Sequence, residues 1–203
     1  MTTPIELAFA LLFSFGFNLI PFAGPSNLFI ASNLALMLAN SDPGILVAIG
    51  FLVALGAALA KSVHYLVTFF VSKHLSEKQR QRLDSEAVKV KKWAFLLLFV
   101  AAATPVPDEP IVIPLGLMKY SPVKFFSVYF LGKLCITVAG AFLGAWTGNT
   151  FSEFLGPEVT IALSIILTVV ITIIMLKVDV GKVAERILKR KKSTEKPATT
   201  QKP

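Results

Sequence analysis

Apolar side chains dominate the chain up to Lys73, and Glu6, Asp42 and Lys61 are the only charged residues before it. The first apolar block, Ile5 to Leu38, breaks at Asn18-Leu-Ile-Pro21-Phe-Ala-Gly24-Pro25-Ser26-Asn27. Two prolines and a glycine this close together do not fit inside a continuous helix. Each half is about 14–16 residues, short of the ~20 that cross a bilayer. The pattern predicts two short helices over 5–40 that meet at a polar tip, a re-entrant hairpin. Free backbone at that depth is tolerated only when buried in protein or facing a wet cavity.

The next block, 43–72, is long enough to span with tilt. Its Gly44, Gly50 and Gly56 permit close helix approach. Residues 73–92 are polar and basic and predict a surface loop or short helix. A third apolar stretch, 93–121, breaks at Thr104-Pro105-Val-Pro107-Asp108-Glu109-Pro110 and predicts a second hairpin. Spanning helices follow over 123–149 and 159–176, separated by an acidic turn at Glu153, Gly156, Pro157 and Glu158. Residues 177–203 form a basic tail, amphipathic at first and partly disordered at its polar end. The fold class expected is an all-α integral membrane protein. It has a membrane domain over 1–176, with two oppositely oriented re-entrant helical hairpins and about three transmembrane helices.

Composition agrees without deciding the matter. Of 203 residues, 55% are hydrophobic and mean hydropathy is +0.71, but a soluble domain is also about half apolar. The net charge of +8 is concentrated. Residues 73–92 carry seven Lys and Arg against three acids, and Arg186, Lys189, Arg190, Lys191 and Lys192 crowd the tail. In an apolar chain this is the pattern of basic loops retained in the cytoplasm and touching anionic headgroups, with no nucleic-acid partner implied. With both basic segments inside, the first hairpin opens outward and the second inward, which puts Glu6, Asp42, Glu153 and Glu158 outside. Each hairpin precedes a spanning helix containing a lysine, Ala60-Lys61 and Gly132-Lys133. This order resembles an inverted repeat, which in transporters places a site at the midplane. The expected location is the plasma membrane, multi-pass, with a cytoplasmic C-terminus. The lack of Lys or Arg before Lys61 argues against a cleaved signal.

Asp108 and Glu109 carry the strongest chemical signal. Ionised carboxylates in an apolar stretch face a cavity or a partner and mark a pathway; alternatively, the hairpin is shallow and both are solvated. Lys61 and Lys133 lie deep in spanning helices. Each can pair with Asp108 or Glu109, bind an anionic headgroup, or snorkel; Lys61 is ~15 Å from the helix end, a long way to reach. His64, on the face of Lys61, is a proton-relay candidate or a satisfied core histidine. At the first tip, Asn18, Ser26 and Asn27 can bind a headgroup or cap the helix beginning near Asn27. Pro21, Gly24 and Pro25, like Pro105, Pro107 and Pro110, shape the tips. Cys135 is the only cysteine, which excludes an intrachain disulfide. No Walker, nucleophile-elbow or paired-histidine motif occurs, so neither an enzyme, a metal nor a cofactor is expected.

The stretch from Phe99 through Pro105-Val-Pro-Asp-Glu-Pro110 and Gly116 to Lys124-Phe125 resembles the signature of the DedA family, the prokaryotic branch of the VTT (SNARE-associated Golgi protein) superfamily. Phe99, Pro105, Gly116, Lys124 and Phe125 fall at matching places, and the segment from Ile20-Pro21-Phe22 is similar to the family's other re-entrant element. The family's two arginines map to Ala102 and Asp108, so charge at the presumed site is inverted, as in a divergent subgroup. The resemblance implies lipid movement between leaflets, of a polyprenyl-phosphate carrier or a phospholipid, with proton coupling as an option. Membrane lipids are the implied partners, and a further copy of the chain is the other candidate. Two other readings stand beside it. One is a proton-coupled exporter of small cations or drugs; the other is a scaffold that docks partners on its basic segments without transporting.

Overall fold

The computed structural model describes residues 4–21, 25–38, 42–77, 93–105 and 107–155, with single positions at 159, 162, 166 and 170; for 151–155 only the backbone is described. The described residues are mostly helical and contain no strand. The elements are α1 (Pro4–Leu19), α2 (Asn27–Met37), α3 (Pro43–Val71) with a 3-10 turn at Ser72–His74, α4 (Trp93–Ala102), α5 (Glu109–Leu117) and α6 (Pro122–Leu155). Most of the basic loop, the tail 177–203, Gly24 and nearly all of the expected span 159–176 lie outside the described residues. Val159, Ile166 and Val170 are helical and exposed.

Local sequence accounts for the boundaries. Asp42 caps α3, its carboxylate accepting from the Gly44 and Ile45 amides at 2.7 and 3.4 Å. Pro43 then occupies the first turn, where no donor is missed. α5 ends in a Schellman turn: the Tyr120 amide donates to Leu115 O and the Lys119 amide to Gly116 O, both at 3.0 Å. Lys119 sits there with φ 51°, a position that glycine fills at lower cost. α3 has 29 residues and α6 has 34, or ~44 and ~51 Å of helix. Both are long and apolar enough to cross the ~30 Å hydrocarbon layer.

Two expectations need correction. Glu153 is not in a turn, because α6 continues to Leu155. Nothing between Pro122 and Pro157 removes a backbone donor, and the glycine face of α6 is seated against α2. The first pair is also uneven: α1 has 16 residues, but α2 has only 11.

The helices pack by exchanging partners. Gly50 of α3 lies against Val138 of α6, and further along Tyr65 stacks on Phe125 at 4.4 Å, so the long helices run antiparallel. α1 runs parallel to α3: Ser14 donates to Val53 O at 2.7 Å, and Leu19 O meets His64. α2 instead follows α6, with Leu28, Ser32 and Leu36 against Gly140, Gly144 and Gly148. In the second pair α4 meets α6 through Phe99 O and Ala102 at Gly132, while α5 runs along α3 with Gly116 against Tyr65 O and Thr68. The first helix of each pair thus packs on its own long helix, and the second packs on the long helix of the other half.

Glycine permits this closeness. A Cβ at Gly50 would lie 2.7 Å from Val138 Cα, and one at Gly132 would lie 2.8 Å from Phe99 O. Ser32 and Thr137 add interhelical bonds to Gly140 O and Gly50 O, each 2.7 Å. Two apolar cores result. One contains Ile30, Leu34, Ile49 and Val53, and the other Leu98, Val112, Leu115, Phe125 and Tyr129. The outer surface is lined by exposed Phe9, Leu12, Phe51, Phe95, Leu131 and Trp146, among others, a surface suited to lipid.

Gly50→Leu should therefore lower thermal stability in detergent by about 1–3 kcal/mol, as overpacking does, while a leucine at the more open Gly16 should not. Lys119→Gly should act in the opposite direction and raise stability by up to ~1 kcal/mol, because it relieves the left-handed backbone without touching a core contact.

Candidate functional site

Two acids and two lysines meet where the break between α4 and α5 enters the helix bundle. Asp108 occupies the N-cap position of α5 and Glu109 its first turn. Lys133 of α6 pairs with Asp108 Oδ2 at 2.9 Å, and Lys61 of α3 approaches Asp108 Oδ1 at 3.4 Å. Lys61 also pairs closely with Glu109. Tyr129, one turn before Lys133, donates its hydroxyl to Asp108 Oδ2. The Lys133 ammonium lies 5.2 Å from the centre of the Tyr129 ring, within cation–π range. The four charged residues are each only 3–4% exposed, and Tyr129 is fully buried.

The cluster is electrically balanced, two positive charges against two negative. That balance is a requirement of burial, since an ion removed from water without a partner is strongly unfavourable. Asp108 shows where the preference lies. A residue at an N-cap ordinarily satisfies its own helix's amides, yet the Asp108 side chain makes no capping bond and is committed to Lys133, Lys61 and Tyr129. Pro110 reduces what that costs, because the first turn of α5 has one amide fewer to satisfy.

The expected site residues divide into two groups. Asp108, Glu109, Lys61 and Lys133 come together, as the pairing alternative for the lysines had it; neither lysine snorkels. His64 turns instead toward the first tip, its Nε2 2.9 Å from Leu19 O. A carbonyl only accepts, so Nε2 carries a proton. At that tip Asn18 and Asn27 form a reciprocal amide pair, with N–O distances of 2.7 and 3.0 Å. Asn18 also donates to Ser14 O at 2.8 Å. Capping does not describe this tip: Ser26 stands at the N-cap of α2 but makes no side-chain cap bond. Ser26 Oγ and His64 Nδ1 are the buried side-chain polar atoms without a hydrogen-bond partner among the described residues. Pro21, Pro105 and Pro110 are exposed at the breaks, and Pro25 and Pro107 are half-buried. Among the described residues no group of His, Cys, Asp and Glu could hold a metal ion.

A protein-family model, the VTT domain, matches residues 24–146. The chain belongs to the VTT-domain family, that of the DedA and SNARE-associated proteins. Comparison with curated proteins and with solved structures gives no match. The match takes in α2 to α5 and most of α6, and with them every residue of the charged cluster; α1 lies before it. This VTT protein is thus a helical membrane protein of the DedA type. Within the domain, Phe125 is a packing residue, stacked between Tyr65 and Tyr129. Gly116 is the contact that lets α5 approach α3, and Lys124 is exposed. Ala102, at one arginine position of the family signature, is fully buried against Gly132. The cations of this site come from the long helices instead.

Tyr129 is the residue that sequence reasoning missed. Its position four before Lys133 placed it on the same helical face, and that spacing was the available signal.

Removing one member of a buried ion cluster leaves its partners uncompensated, which costs about 3–5 kcal/mol. Lys133→Met should therefore lower thermal stability sharply, whereas Asp108→Asn/Lys133→Met, which restores neutrality, should recover much of the loss. Additive losses in the two single variants and the double would show that the pair is not coupled.

Proposed function

We propose that this VTT protein moves lipid between leaflets, with the anionic headgroup passing the charged cluster while the acyl chains remain in the bilayer. The observation that carries this reading is the neutral, deeply buried Lys61–Glu109–Asp108–Lys133 cluster at the break between α4 and α5. Buried ionisable groups in membrane helices mark substrate and proton pathways. Discontinuous helices between opposed halves are where transporters hold their sites. In this reading α1–α2 and α4–α5 are re-entrant pairs opening to opposite sides, since 9 to 16 residues give only ~14–24 Å of helix. The plasma membrane, with the basic tail in the cytoplasm, is the location the charge pattern favours. Proton uptake on Asp108 or Glu109 would weaken its hold on a lysine, giving a route to proton coupling.

A lipid phosphate fits better than a small cation, because the acids sit at the short break before α5 while the lysines belong to the two long helices, so the acids are the part that can give way and leave the ammonium groups to a phosphate. Work on the substrate is positional and electrostatic, without covalent chemistry. A scaffold role would rest on the basic segments 73–92 and 177–203, of which only residues 73–77 are described.

Asp108→Asn and Glu109→Gln, each reconstituted in vesicles with a fluorescent anionic phospholipid, should slow leaflet exchange by about tenfold, or ~1.4 kcal/mol of barrier. Exchange at the wild-type rate in both variants would remove these acids from the mechanism.

A further inference from the structure

The charged cluster has a consequence for how any substrate could enter it. Lys61 and Lys133 project from antiparallel helices onto one point, and neither is within reach of water by its exposure. An ammonium that stays both buried and charged needs an anion beside it. The tip cannot withdraw and leave both lysines empty, so whatever displaces it must bring negative charge.

The donors fit such a replacement. Two ammonium groups and the Tyr129 hydroxyl are aimed at carboxylate oxygens, and the same set fits the oxygens of a phosphate. Together Asp108 and Glu109 present two negative charges, as a phosphate monoester does at most. The tip is also held at this point by charge. Asp108 leaves α5 without a side-chain cap to meet the lysines, so its attachment here is of the kind an incoming anion can exchange.

We propose that the Asp108–Glu109 tip is an internal anion, occupying a phosphate-class site formed by Lys61, Lys133 and Tyr129, and that an incoming phosphate group displaces it. This rests on the transport reading and adds a rule to it: the tip leaves only as an anion arrives. Such a site accepts no neutral or cationic headgroup lacking a phosphate oxygen to offer.

The test is thermal stability of the full chain in detergent, in inorganic phosphate against chloride at equal ionic strength. A second arm adds short-chain phosphatidic acid, with the matching diacylglycerol, which has no phosphate, as its control. Glu109→Gln leaves Asp108 bridging both lysines but gives the cluster one uncompensated positive charge. Its melting temperature should rise by ~4 °C or more in phosphate or phosphatidic acid, while wild type, whose plug is intact, shows no phosphate-specific rise. Lys61→Met/Glu109→Gln, again neutral, should lose the response. A rise with phosphatidic acid alone supports the site and identifies the lipid phase as its source; a rise with free phosphate as well shows that it also opens to solution. No phosphate-specific rise in Glu109→Gln, or an equal rise in the Lys61→Met double variant, overturns the proposal. Should Glu109→Gln aggregate in chloride, recovery of monodisperse protein on extraction in phosphate supports it, and aggregation in both overturns it. Leaflet exchange that depends on the acids but is accompanied by no phosphate response would sink the internal anion alone. A phosphate response without leaflet exchange would sink the transport reading and leave the site.

Discussion

The arrangement depends on the rule that charge taken out of water must be matched. Lys61 and Lys133 lie in the two long helices at depths where their side chains stay buried. An unmatched ammonium there is unfavourable enough to decide how neighbouring elements sit. Asp108 and Glu109 satisfy both lysines from a single point. One short break in the chain thereby ties α3 to α6 and brings α5 alongside α3. Tyr129 completes the oxygen shell of Asp108 and lies beneath Lys133. Satisfied in this way, a polar network specifies one arrangement; half-satisfied, it would be worse than an apolar core.

Charge alone could not bring the helices close enough. In lipid, apolar side chains gain little by leaving one surface for another, so association relies on dispersion contacts and interhelical hydrogen bonds. The glycines supply both. At Gly50, Gly116, Gly132 and Gly140 a neighbouring helix approaches within the space a side chain would need. Ser32 and Thr137 use that closeness to bond backbone carbonyls across the interface. Because the second helix of each pair packs on the long helix of the other half, neither half can separate without unpacking both. The break that carries the acids is therefore held by elements from both halves.

The two breaks are chemically unlike. The first is closed by neutral amides, Asn18 with Asn27, supported by Ser14 and with His64 on the neighbouring Leu19 carbonyl. The second is closed by ions. Amide pairs hold their geometry over a wide range of conditions, whereas ion pairs respond to protons and to competing charge. In the proposed transport reading, the second break is the responsive one and the first its fixed counterpart.

Much of this was legible in the residues. Long apolar runs, clustered charge and closely spaced prolines define which stretches are helical, where they break and which are long enough to cross a bilayer, because helix continuity and hydrophobic length are local properties. The same logic marked Asp108, Glu109, Lys61 and Lys133 as costly to bury and so in need of partners. It left open which partner each would take and what His64 would meet, overlooked Tyr129 and ended α6 too early. Those outcomes follow from contacts between residues 21 to 108 positions apart, and no local pattern encodes them. Composition and spacing determined that the chain is a membrane-embedded helical protein with charge at a broken helix. Only tertiary packing decided that the charges cancel in one buried cluster, because cancellation depends on distance in space and the sequence specifies only distance along the chain.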